Sequence, residues 1–463
     1  MSVLDTTRSG QRPRPVARFW RPLIRSMGRG SVVVVVALWL SGRGAALLAA
    51  GNAERLTSLG RLTGLVAADL LLVLVLLMAR VPVIERSIGQ DELARRHRTL
   101  GFWSFTLLLA HLGLITLGYA MSDGSSLLPE AWHLTVSYPG MLLAAAATGL
   151  LTVVTVTSIR RARRRLRYES WHLLHLYAYL GVGFSLPHEI WTGADFVTSP
   201  LARAYWWTSY ALAAGAVLVY RVGLPLWRTG RHGLTVTGVR RESSDVVTVM
   251  FGGRGLHRLP VVAGQFFVFR FLDGPGWSRG NPYSLSAAPR HDRLQITAKD
   301  LGDGSGRLAG LRPGTRVLIE GPYGRLTGHT RTRPRVAMLA CGIGITPLRA
   351  LLEELDYAPG EATLVYRARS VDDLVLRPEI EQLAQARGVA VHYLTGPRRP
   401  GSSWLPADAQ GWDDATALAT LVGDLADTDI YVCGPDPWTD AVRAAALRAG
   451  LPPGQLHEER FAW

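Results

Sequence analysis

The sequence predicts a membrane protein in three parts: a six-helix transmembrane bundle, an antiparallel β-barrel and an α/β domain of Rossmann type. Three observations in the 463-residue chain predict this order. Short alternating segments follow residue 230 and are typical of an antiparallel barrel. From about residue 334, strands alternate with helices, as they do around a parallel sheet. The first half contains apolar stretches, most of them near the length that crosses a bilayer, at 31–50, 62–80, 100–120, 138–158, 171–190 and 204–223.

The first apolar stretch has two interpretations. Arg43 interrupts it, and the small residues that follow resemble a signal-peptide cleavage site. A membrane helix is favoured because the segment before the apolar stretch is long for a signal peptide. A cleaved first segment would leave five membrane spans instead of six. The domains expected on the six-span interpretation are a cytoplasmic N-terminal segment, the membrane region, the barrel and the α/β domain, at 1–30, 31–225, 230–328 and 334–463.

The positive charge of the chain is arranged as membrane topology requires. The formal net charge is +15, and six arginines lie within 159–167, between two apolar stretches. Cytoplasmic loops carry such arginine clusters, and the other arginine-rich segments fall on the same side of a six-span bundle. We therefore expect a multi-pass protein of the cell membrane, in contact with the lipid bilayer, with both termini cytoplasmic. Nucleic acid is not an expected partner.

Four histidines lie in two of the apolar stretches. His97 and His111 flank the run HRTLGFWSFTLLLAH of the third stretch, and His175 and His188 flank the run HLYAYLGVGFSLPH of the fifth. Ionisable residues in a span are costly and indicate function, and neutral imidazole is a common haem-iron ligand. The spacing within each pair corresponds to roughly 21 Å along a helix. The four side chains are therefore candidate ligands for two haems at different depths.

Helical phase supports this arrangement only in part. Fourteen residues bring His111 back to the face of His97. Thirteen residues turn His188 away from His175 on a straight helix, so a bend at Pro187 is needed to restore its direction. His172 is an alternative to His175, although its phase to His188 is no better.

The two cysteines, Cys341 and Cys433, exclude two other kinds of site. They are too few for a four-cysteine iron–sulfur cluster within this chain, or for a disulfide framework. Electron carriers in the chain would have to be flavin, haem or both.

Motifs in the second half occur in an informative order. They are NPYSLSAAP (281–289), LGDGSGRL (301–308), EGPYG (320–324), GIGITP (342–347), YVCGP (431–435) and a terminal HEERFAW. A glycine-rich turn between a strand and a helix lets backbone amides approach a pyrophosphate. In this order the motifs resemble the ferredoxin–NADP reductase superfamily, over about 230–463.

The resemblance implies FAD and NAD(P)H as cofactors and assigns residues to each. Tyr283 and Ser284 would lie against the flavin, with the serine hydroxyl near its reactive nitrogen. The FAD pyrophosphate would be held by Gly302, Gly304 and Ser305. The nicotinamide nucleotide would be held by Gly342, Gly344 and Thr346, with Cys433 and Gly434 beside the nicotinamide ring. Ser284, Cys433 and Phe461 are the candidate catalytic residues, Phe461 covering the flavin until the nucleotide displaces it.

Three of the assignments in this half have an alternative. Trp463 could cover the flavin instead of Phe461, because the chain runs two residues past the phenylalanine. Asn281 stands where related families carry Arg or His, which weakens a charged pyrophosphate contact and keeps FMN as an alternative to FAD. Arg367 and Arg369 follow a predicted strand and could bind a 2′-phosphate, favouring NADPH, or could be a solvated strand end.

Combined with this second half, the first half resembles the transmembrane domain of ferric reductases and NADPH oxidases. The matching residues are the histidines of the third stretch and YESWHLLH…PH in the fifth. The resemblance pairs His97 with His175 at an inner b-type haem and His111 with His188 at an outer one. It implies an NAD(P)H-dependent oxidoreductase that moves electrons across the membrane to a ferric chelate, to O2 or to a redox protein. The alternative is a haem-free, membrane-anchored flavoprotein reductase that serves a cytoplasmic protein.

Overall fold

The computed structural model describes residues 16–163, 165, 168–197, 199–401 and 403–459. The described helices up to Val222 form one compact unit, and the chain from Gly223 onward forms a second. The first unit is helical. Its elements are α1 (Val16–Ser41), α2 (Gly44–Leu48), α3 (Asn52–Met78), α4 (Pro82–Ile88), α5 (Gln90–Asp123), α6 (Leu127–Ser137), α7 (Met141–Ser158), α8 (Arg160–Arg163), α9 (Tyr168–Trp191), α10 (Ala194–Val197), α11 (Pro200–Ala216) and a π-helical segment, Val217–Gly223.

Several of these helices have the length and composition of membrane spans. Within the described ranges, four helical stretches are long and apolar enough: Asn52–Met78, Glu92–Asp123, Met141–Ser158 and Pro200–His232. A shorter apolar stretch, Ser26–Ser41, lies in α1. The structure thus has a helical first half with candidate membrane spans, as the sequence predicts. The count of six spans stays a prediction.

Glycines let α3 and α5 approach closely. A Cβ atom at Gly60 would lie 2.9 Å from Ile115, and one at Gly118 would lie 2.5 Å from Thr57. Ser104 of α5 donates a hydrogen bond to the carbonyl oxygen of Ala67 at 2.9 Å. Small residues at a helix interface allow backbones to pack in this way inside a membrane. As a result α5, which carries His97 and His111, is held against α3 along its length.

Two buried carboxylates connect α11 to other helices. The Tyr205 hydroxyl donates a hydrogen bond to Asp69 of α3 at 2.5 Å, and the Tyr210 hydroxyl donates to Glu189 of α9. Both carboxylates are buried. A buried polar group in an apolar region stabilises a helix pair only when it is hydrogen-bonded, and here tyrosine supplies the donor each time.

The second unit begins with α12 (Leu224–His232) and six antiparallel strands. These are β1 (Thr235–Arg241), β2 (Val246–Gly252), β3 (Phe266–Phe271), β4 (Asn281–Ser284), β5 (Arg293–Lys299) and β6 (Val317–Tyr323), with the short helix α13 (Asp303–Gly306) after β5. They form two three-stranded sheets in the orders β1-β2-β5 and β4-β3-β6. Phe267, Phe269 and Phe271 alternate along β3 into the core between them.

The sequence predicted a barrel here, and the structure has two open sheets. The sheet edges are joined by two isolated bridges, Thr235 with Arg316 and Leu285 with Ile296, and by a few backbone hydrogen bonds beside them. The short strand β4 contains Pro282, which has no backbone N–H to extend a ladder. The sheets therefore pack face to face without continuous ladders joining their edges.

A parallel sheet completes the unit. Its elements are β7 (Arg335–Cys341), α14 (Ile345–Glu354), β8 (Ala362–Arg367), α15 (Arg377–Arg387), β9 (Ala390–Leu394), α16 (Asp414–Val422), β10 (Thr428–Cys433), α17 (Asp436–Arg448) and β11 (Leu456–Glu458). The strand order is β11-β10-β7-β8-β9, and every neighbouring pair is parallel. Along β7, Val336 and Met338 enter one core and Ala337 and Leu339 the other. Both faces of the sheet are covered, as in Rossmann-type folds.

Glu353 of α14 joins the parallel-sheet part to the antiparallel part. Its carboxylate accepts hydrogen bonds from the backbone N–H of Ala288 and from Arg290, both at 3.0 Å, and pairs with Arg349. Burial alone would raise the pKa of Glu353, but Arg349, Ala288 and Arg290 together hold it below its ordinary value. The carboxylate therefore stabilises the folded protein while it is ionised.

Replacing Glu353 with Gln should lower stability by on the order of 1–2 kcal/mol, because hydrogen bonds to a charged acceptor are lost. The measurement is the temperature at which flavin is released from the full chain in detergent. A carboxyl whose folded pKa is depressed contributes stability above its unfolded pKa and loses it as pH falls. The difference from the wild type should accordingly shrink below pH 4.5, the ordinary value for this carboxyl.

The matched control is Glu381→Gln, which removes a half-exposed pair with Arg377 on the surface of α15. Exposed pairs of this kind contribute little, so the release temperature should barely move. Equal effects of the two substitutions at neutral pH would contradict the role of Glu353.

Candidate functional site

The GIG turn after β7 and the CGP segment after β10 lie side by side. Parallel strands bring their carboxyl ends to one edge of the sheet, and β7 and β10 are neighbours there. A Cβ atom at Gly344 would overlap the carbonyl oxygen of Cys433, whereas one at Gly342 would meet nothing within 4 Å. Gly342 has φ +55°, in the left-handed region that favours glycine. Gly344 therefore packs the two motifs together, and Gly342 presents open backbone at the edge.

Two hydroxyl groups hold this turn in place. Thr346 donates a hydrogen bond to the carbonyl oxygen of Ile343 at 3.0 Å. Tyr366 of β8 donates to the carbonyl oxygen of Gly342 at 3.1 Å and accepts one from the backbone N–H of Val375. The sequence did not indicate this role of Tyr366, although the residue lies in the same LVYRARS segment as Arg367 and Arg369.

Cys433 lies at the end of β10, completely buried. Burial raises the pKa of the Cys433 thiol above its ordinary range, so the group is present as a neutral thiol. Gly434 follows in contact with Trp438 and Cys341, where a Cβ atom would approach within 2.8 Å of each. The thiol of Cys341 has its pKa raised to about 11 by burial, against the opposing charges of Arg367, Arg398 and Arg369.

Arg367 and Arg369 differ sharply in their surroundings. Arg367 is buried, and its guanidinium group donates hydrogen bonds to the carbonyl oxygens of Ala368, Leu394, Gly396 and Pro397. Its donors are directed at the backbone and hold the loops after β8 and β9, which is a structural role that the strand-end position did not reveal. Arg369 is exposed at the same edge, with Arg398 also close enough to influence Cys341.

The flavin-side motif forms β4. Tyr283 pairs with Phe267 and Ser284 with Phe266 across the sheet. Ser284 is 7% exposed, and the Tyr283 ring lies 6.3 Å from that of Phe269. Burial raises the pKa of Tyr283, and the positive charge of Arg307 opposes this rise.

The turn at 300–305 is built by side-chain hydrogen bonds to its own backbone. Gly302 has φ +135° and donates its N–H to Asp300 at 3.1 Å. The Ser305 hydroxyl accepts a hydrogen bond from the N–H of Leu301 at 2.7 Å. Gly304 lies within α13. Arg307 follows this turn, so it brings a positive charge towards Tyr283 in a motif where Asn281 carries none.

The two candidates for the flavin cover, Phe461 and Trp463, lie outside the described residues. The last described residue is Glu459, which is buried. A Cβ atom at Gly324 would lie 2.9 Å from its carboxylate. The chain thus reaches the EGPYG segment immediately before the terminal aromatic residues.

In the helical unit, the structure brings the four histidines together in two pairs. The ring centroids of His97 and His175 are 5.8 Å apart, and those of His111 and His188 are 6.4 Å apart. In each pair, one histidine belongs to α5 and the other to α9. The α9 helix continues through Pro187, and the unfavourable thirteen-residue phase does not prevent His188 from facing α5.

The structure also places the alternative residue, His172. Its ring lies 6.5 Å from that of Trp171, whereas His175 faces His97.

Glycines of neighbouring helices make room for the second pair. The Nδ1 atom of His111 lies 2.8 Å from the carbonyl oxygen of Gly60, and a Cβ atom at Gly64 would be 2.6 Å from the same nitrogen. A Cβ atom at Gly140 would approach the backbone of His188 within 2.8 Å. The ring of His111 and the backbone of His188 therefore each lie against a position that only glycine leaves open.

The geometry of the pairs fits a macrocyclic metal group. Two imidazoles that bind one metal from opposite sides are joined by two metal–nitrogen bonds of about 2 Å each. When the distance from each bound nitrogen to the centre of its ring is added, the ring centroids lie about 6 Å apart. Among the residues that the structure describes, no group of three or more His, Cys, Asp or Glu is arranged to hold a metal ion. A pair of imidazoles is too few donors for a bare zinc ion, but it completes the coordination of haem iron.

These features define a class: a membrane-associated flavoprotein with an FAD- and NAD(P)-binding oxidoreductase module. Residues 63–186 match the model of the ferric reductase like transmembrane component, and residues 338–444 match that of the oxidoreductase NAD-binding domain. The chain belongs to the ferredoxin reductase-type flavoproteins and carries a ferric reductase-like transmembrane component.

Curated relatives resemble the second half of the chain. The ferredoxin–NAD(+) reductase component of the alkene monooxygenase system of Xanthobacter autotrophicus is 31% identical, over 50% of this chain and 70% of the relative. The ferredoxin reductase component of 3-ketosteroid-9-alpha-monooxygenase from Mycolicibacterium smegmatis is 30% identical, over 49% and 65%. The chain covers 65% and 64% of the length of two further reductase subunits.

Among solved structures, the flavohem-like FAD/NAD binding domain of nitric oxide dioxygenase from Vibrio cholerae is similar, with a TM-score of 0.40 and 22% identity. The match covers 50% of this chain and 99% of that domain.

Replacing Gly344 with Ala should weaken NAD(P)H binding about tenfold or more, because the added Cβ forces the turn away from Cys433 and overpacking costs about 1–3 kcal/mol. FAD content should not change, since the flavin-side residues lie elsewhere. The measurement is the dissociation constant of NADP+ by titration of the flavin absorbance.

Gly454→Ala serves as the control in the same domain, because a Cβ atom there would meet nothing within 4 Å. Unchanged nucleotide affinity in Gly344→Ala would show that the close packing of the two motifs is unimportant for binding.

Proposed function

We propose that this protein carries electrons from cytoplasmic NAD(P)H through FAD to two b-type haems, and on to an acceptor across the membrane. The observation that carries the proposal is the pair of histidine couples, at two levels of α5 and α9, in a chain that also has a ferredoxin reductase-type module. His97 with His175, and His111 with His188, are the proposed axial ligands of the inner and outer haem. Bound flavin would supply hydride acceptance and one-electron release, and haem held by two histidines would supply one-electron transfer.

Residues of the second unit bind and orient the two nucleotides. Tyr283 and Ser284 support the flavin ring, and the backbone around Gly302, Gly304 and Ser305 holds its pyrophosphate. Arg307 lies near Tyr283 but forms an ion pair with Asp273, so it does not replace the charge that is missing at Asn281, and FMN stays the alternative to FAD. The FAD-binding domain extends over 230–328 on this proposal.

The edge of the parallel sheet receives the nicotinamide nucleotide. Gly342, Gly344 and Thr346 shape the turn that approaches the pyrophosphate, and Cys433 and Gly434 form the floor below the nicotinamide ring. Phe461 or Trp463 covers the flavin before the nucleotide arrives. This domain extends over 334–463.

The proposed topology has six spans within 31–225, a cytoplasmic segment at 1–30 and both termini in the cytoplasm. The arginine-rich loop at 159–167 supports this orientation by the positive-inside rule. The acceptor then lies on the opposite side, and ferric chelates or O2 are the proposed small-molecule acceptors.

A second candidate is a reductase that transfers electrons from the flavin to a protein partner without haem. The names of the curated relatives favour it, because they are reductase components of monooxygenase systems. In that case the helices anchor the flavoprotein, and a cytoplasmic ferredoxin or oxygenase is the acceptor. Haem content separates the two candidates directly.

His111→Ala should remove one of two b-type haems, because only one pair loses a ligand. The measurement is a reduced-minus-oxidised spectrum of the detergent-purified chain, with haem and flavin quantified. Flavin reduction by NADPH should persist while reduction of an acceptor on the far side of proteoliposomes is abolished.

His133→Ala is the matched control, because His133 is exposed and paired with Glu130. Two haems per flavin in the wild type and in this control, with one in His111→Ala, would support the proposal. Flavin without haem in the wild type, after expression with ample haem, would favour the second candidate.

Arg369→Ala should reduce the preference for NADPH over NADH about tenfold, because an exposed arginine at this edge can bind a 2′-phosphate. The measurement is kcat/KM for both coenzymes. Arg312→Ala, an exposed arginine of the flavin half, should leave the ratio unchanged. An unchanged ratio in Arg369→Ala would remove Arg369 from the coenzyme site.

A further inference from the structure

The hydroxyl group of Ser158 has three polar neighbours at the end of α7. It lies 2.7 Å from the carbonyl oxygen of Val154, 3.3 Å from Nε1 of Trp171 and 3.3 Å from Nδ1 of His175. A hydroxyl has one proton to donate and two lone pairs to accept. The carbonyl can only accept and the indole can only donate. All three contacts are hydrogen bonds only when Nδ1 of His175 carries the proton.

Thr192 repeats this arrangement one residue after α9. Its hydroxyl lies 2.7 Å from the carbonyl oxygen of His188 and 2.6 Å from Nδ1 of the same residue. The carbonyl oxygen can only accept, so both contacts are hydrogen bonds when the hydroxyl donates to the carbonyl and accepts from Nδ1. Nδ1 of His188 is therefore also the protonated nitrogen.

In His111, too, Nδ1 is the protonated nitrogen, but a different acceptor holds its proton. Its Nδ1 atom faces the carbonyl oxygen of Gly60 at 2.8 Å, and a carbonyl cannot donate. Three histidines of the two pairs thus have Nδ1–H held by an acceptor. In neutral imidazole the lone pair then resides on Nε2.

We infer that Ser158 and Thr192 are positioning residues that fix the tautomer and ring orientation of His175 and His188, so that Nε2 is the iron-binding nitrogen. The inference rests on the proposed function, because it assigns the partner of Nε2 as haem iron. An acceptor on Nδ1–H increases the electron donation of the opposite nitrogen and stabilises the higher charge of ferric iron. Each hydroxyl therefore lowers the reduction potential of its own haem.

Packing around Ser158 supports a defined geometry. The Trp171 ring lies 5.1 Å from that of His175, tilted by 32°. The guanidinium group of Arg163 lies 4.4 Å above the Trp171 ring, a cation–π contact that restrains the indole. The indole N–H and the imidazole N–H use the two lone pairs of Ser158, so no acceptor capacity is left for water.

The test is a potentiometric titration of both haems in the full-length, detergent-purified chain, with haem content recorded. Ser158→Ala should raise the midpoint potential of one haem only, and Thr192→Ala should raise that of the other. A tenfold change in the ratio of ferric to ferrous affinity corresponds to 59 mV for one electron. Ser158→Thr and Thr192→Ser keep the hydroxyl and should restore the wild-type values.

Thr157→Ala is the control, because the Thr157 hydroxyl donates to the carbonyl oxygen of Val153 in the same helix. Both potentials should stay at their wild-type values. If Ser158→Ala does not fold, Ser158→Cys keeps the size with a weaker acceptor and should give a smaller shift in the same direction.

The outcomes separate this inference from the proposed function. A wild-type protein without haem overturns both. Two haems in the wild type, with potentials that neither alanine variant moves, overturn the positioning role alone. A shift of one haem for each variant, reversed by the hydroxyl-retaining variants, supports it.

Discussion

The separation between α5 and α9 is the constraint on which the helical half depends. Two pairs of imidazole rings lie 5.8 and 6.4 Å apart at two levels, an arrangement that neither helix can achieve alone. The position of α5 is set by α3, where Gly60 and Gly118 allow the backbones to approach. The position of α9 is set by α7, where Gly181 is buried and a Cβ atom would lie 3.1 Å from Leu151. Close packing on the outside of each pair thus determines the space between them.

The same helices also determine the chemistry of the rings. Backbone and hydroxyl acceptors from Gly60, Ser158 and Thr192 lie behind three of the four imidazoles. Such partners hold a ring in one orientation and select which nitrogen faces the space between the helices. Gly60 serves both purposes, because it lets α3 and α5 approach and its carbonyl oxygen contacts the His111 ring.

The second unit uses a different principle, the shared edge of parallel strands. The GIG turn and the CGP segment meet because β7 and β10 are neighbours, and Gly344 allows the contact with Cys433. Sequence motifs indicated these positions well, since each turn is a local feature. They did not separate Arg367 from Arg369, because burial of one guanidinium group against four carbonyl oxygens depends on the loops after β8 and β9. The role of Tyr366 in holding the turn was not predicted for the same reason.

The sequence by itself determined the order of the parts: apolar helices, short antiparallel strands, then a βα alternation with its glycine turns. Periodicity and turn chemistry are local, so they can be read along the chain. The four histidines were also apparent, because such residues are rare in apolar stretches. Only the tertiary structure decided that His188 faces α5 despite its thirteen-residue spacing from His175, and that the antiparallel strands form two open sheets. Both depend on distances between segments that are remote in sequence, and no local pattern encodes those distances.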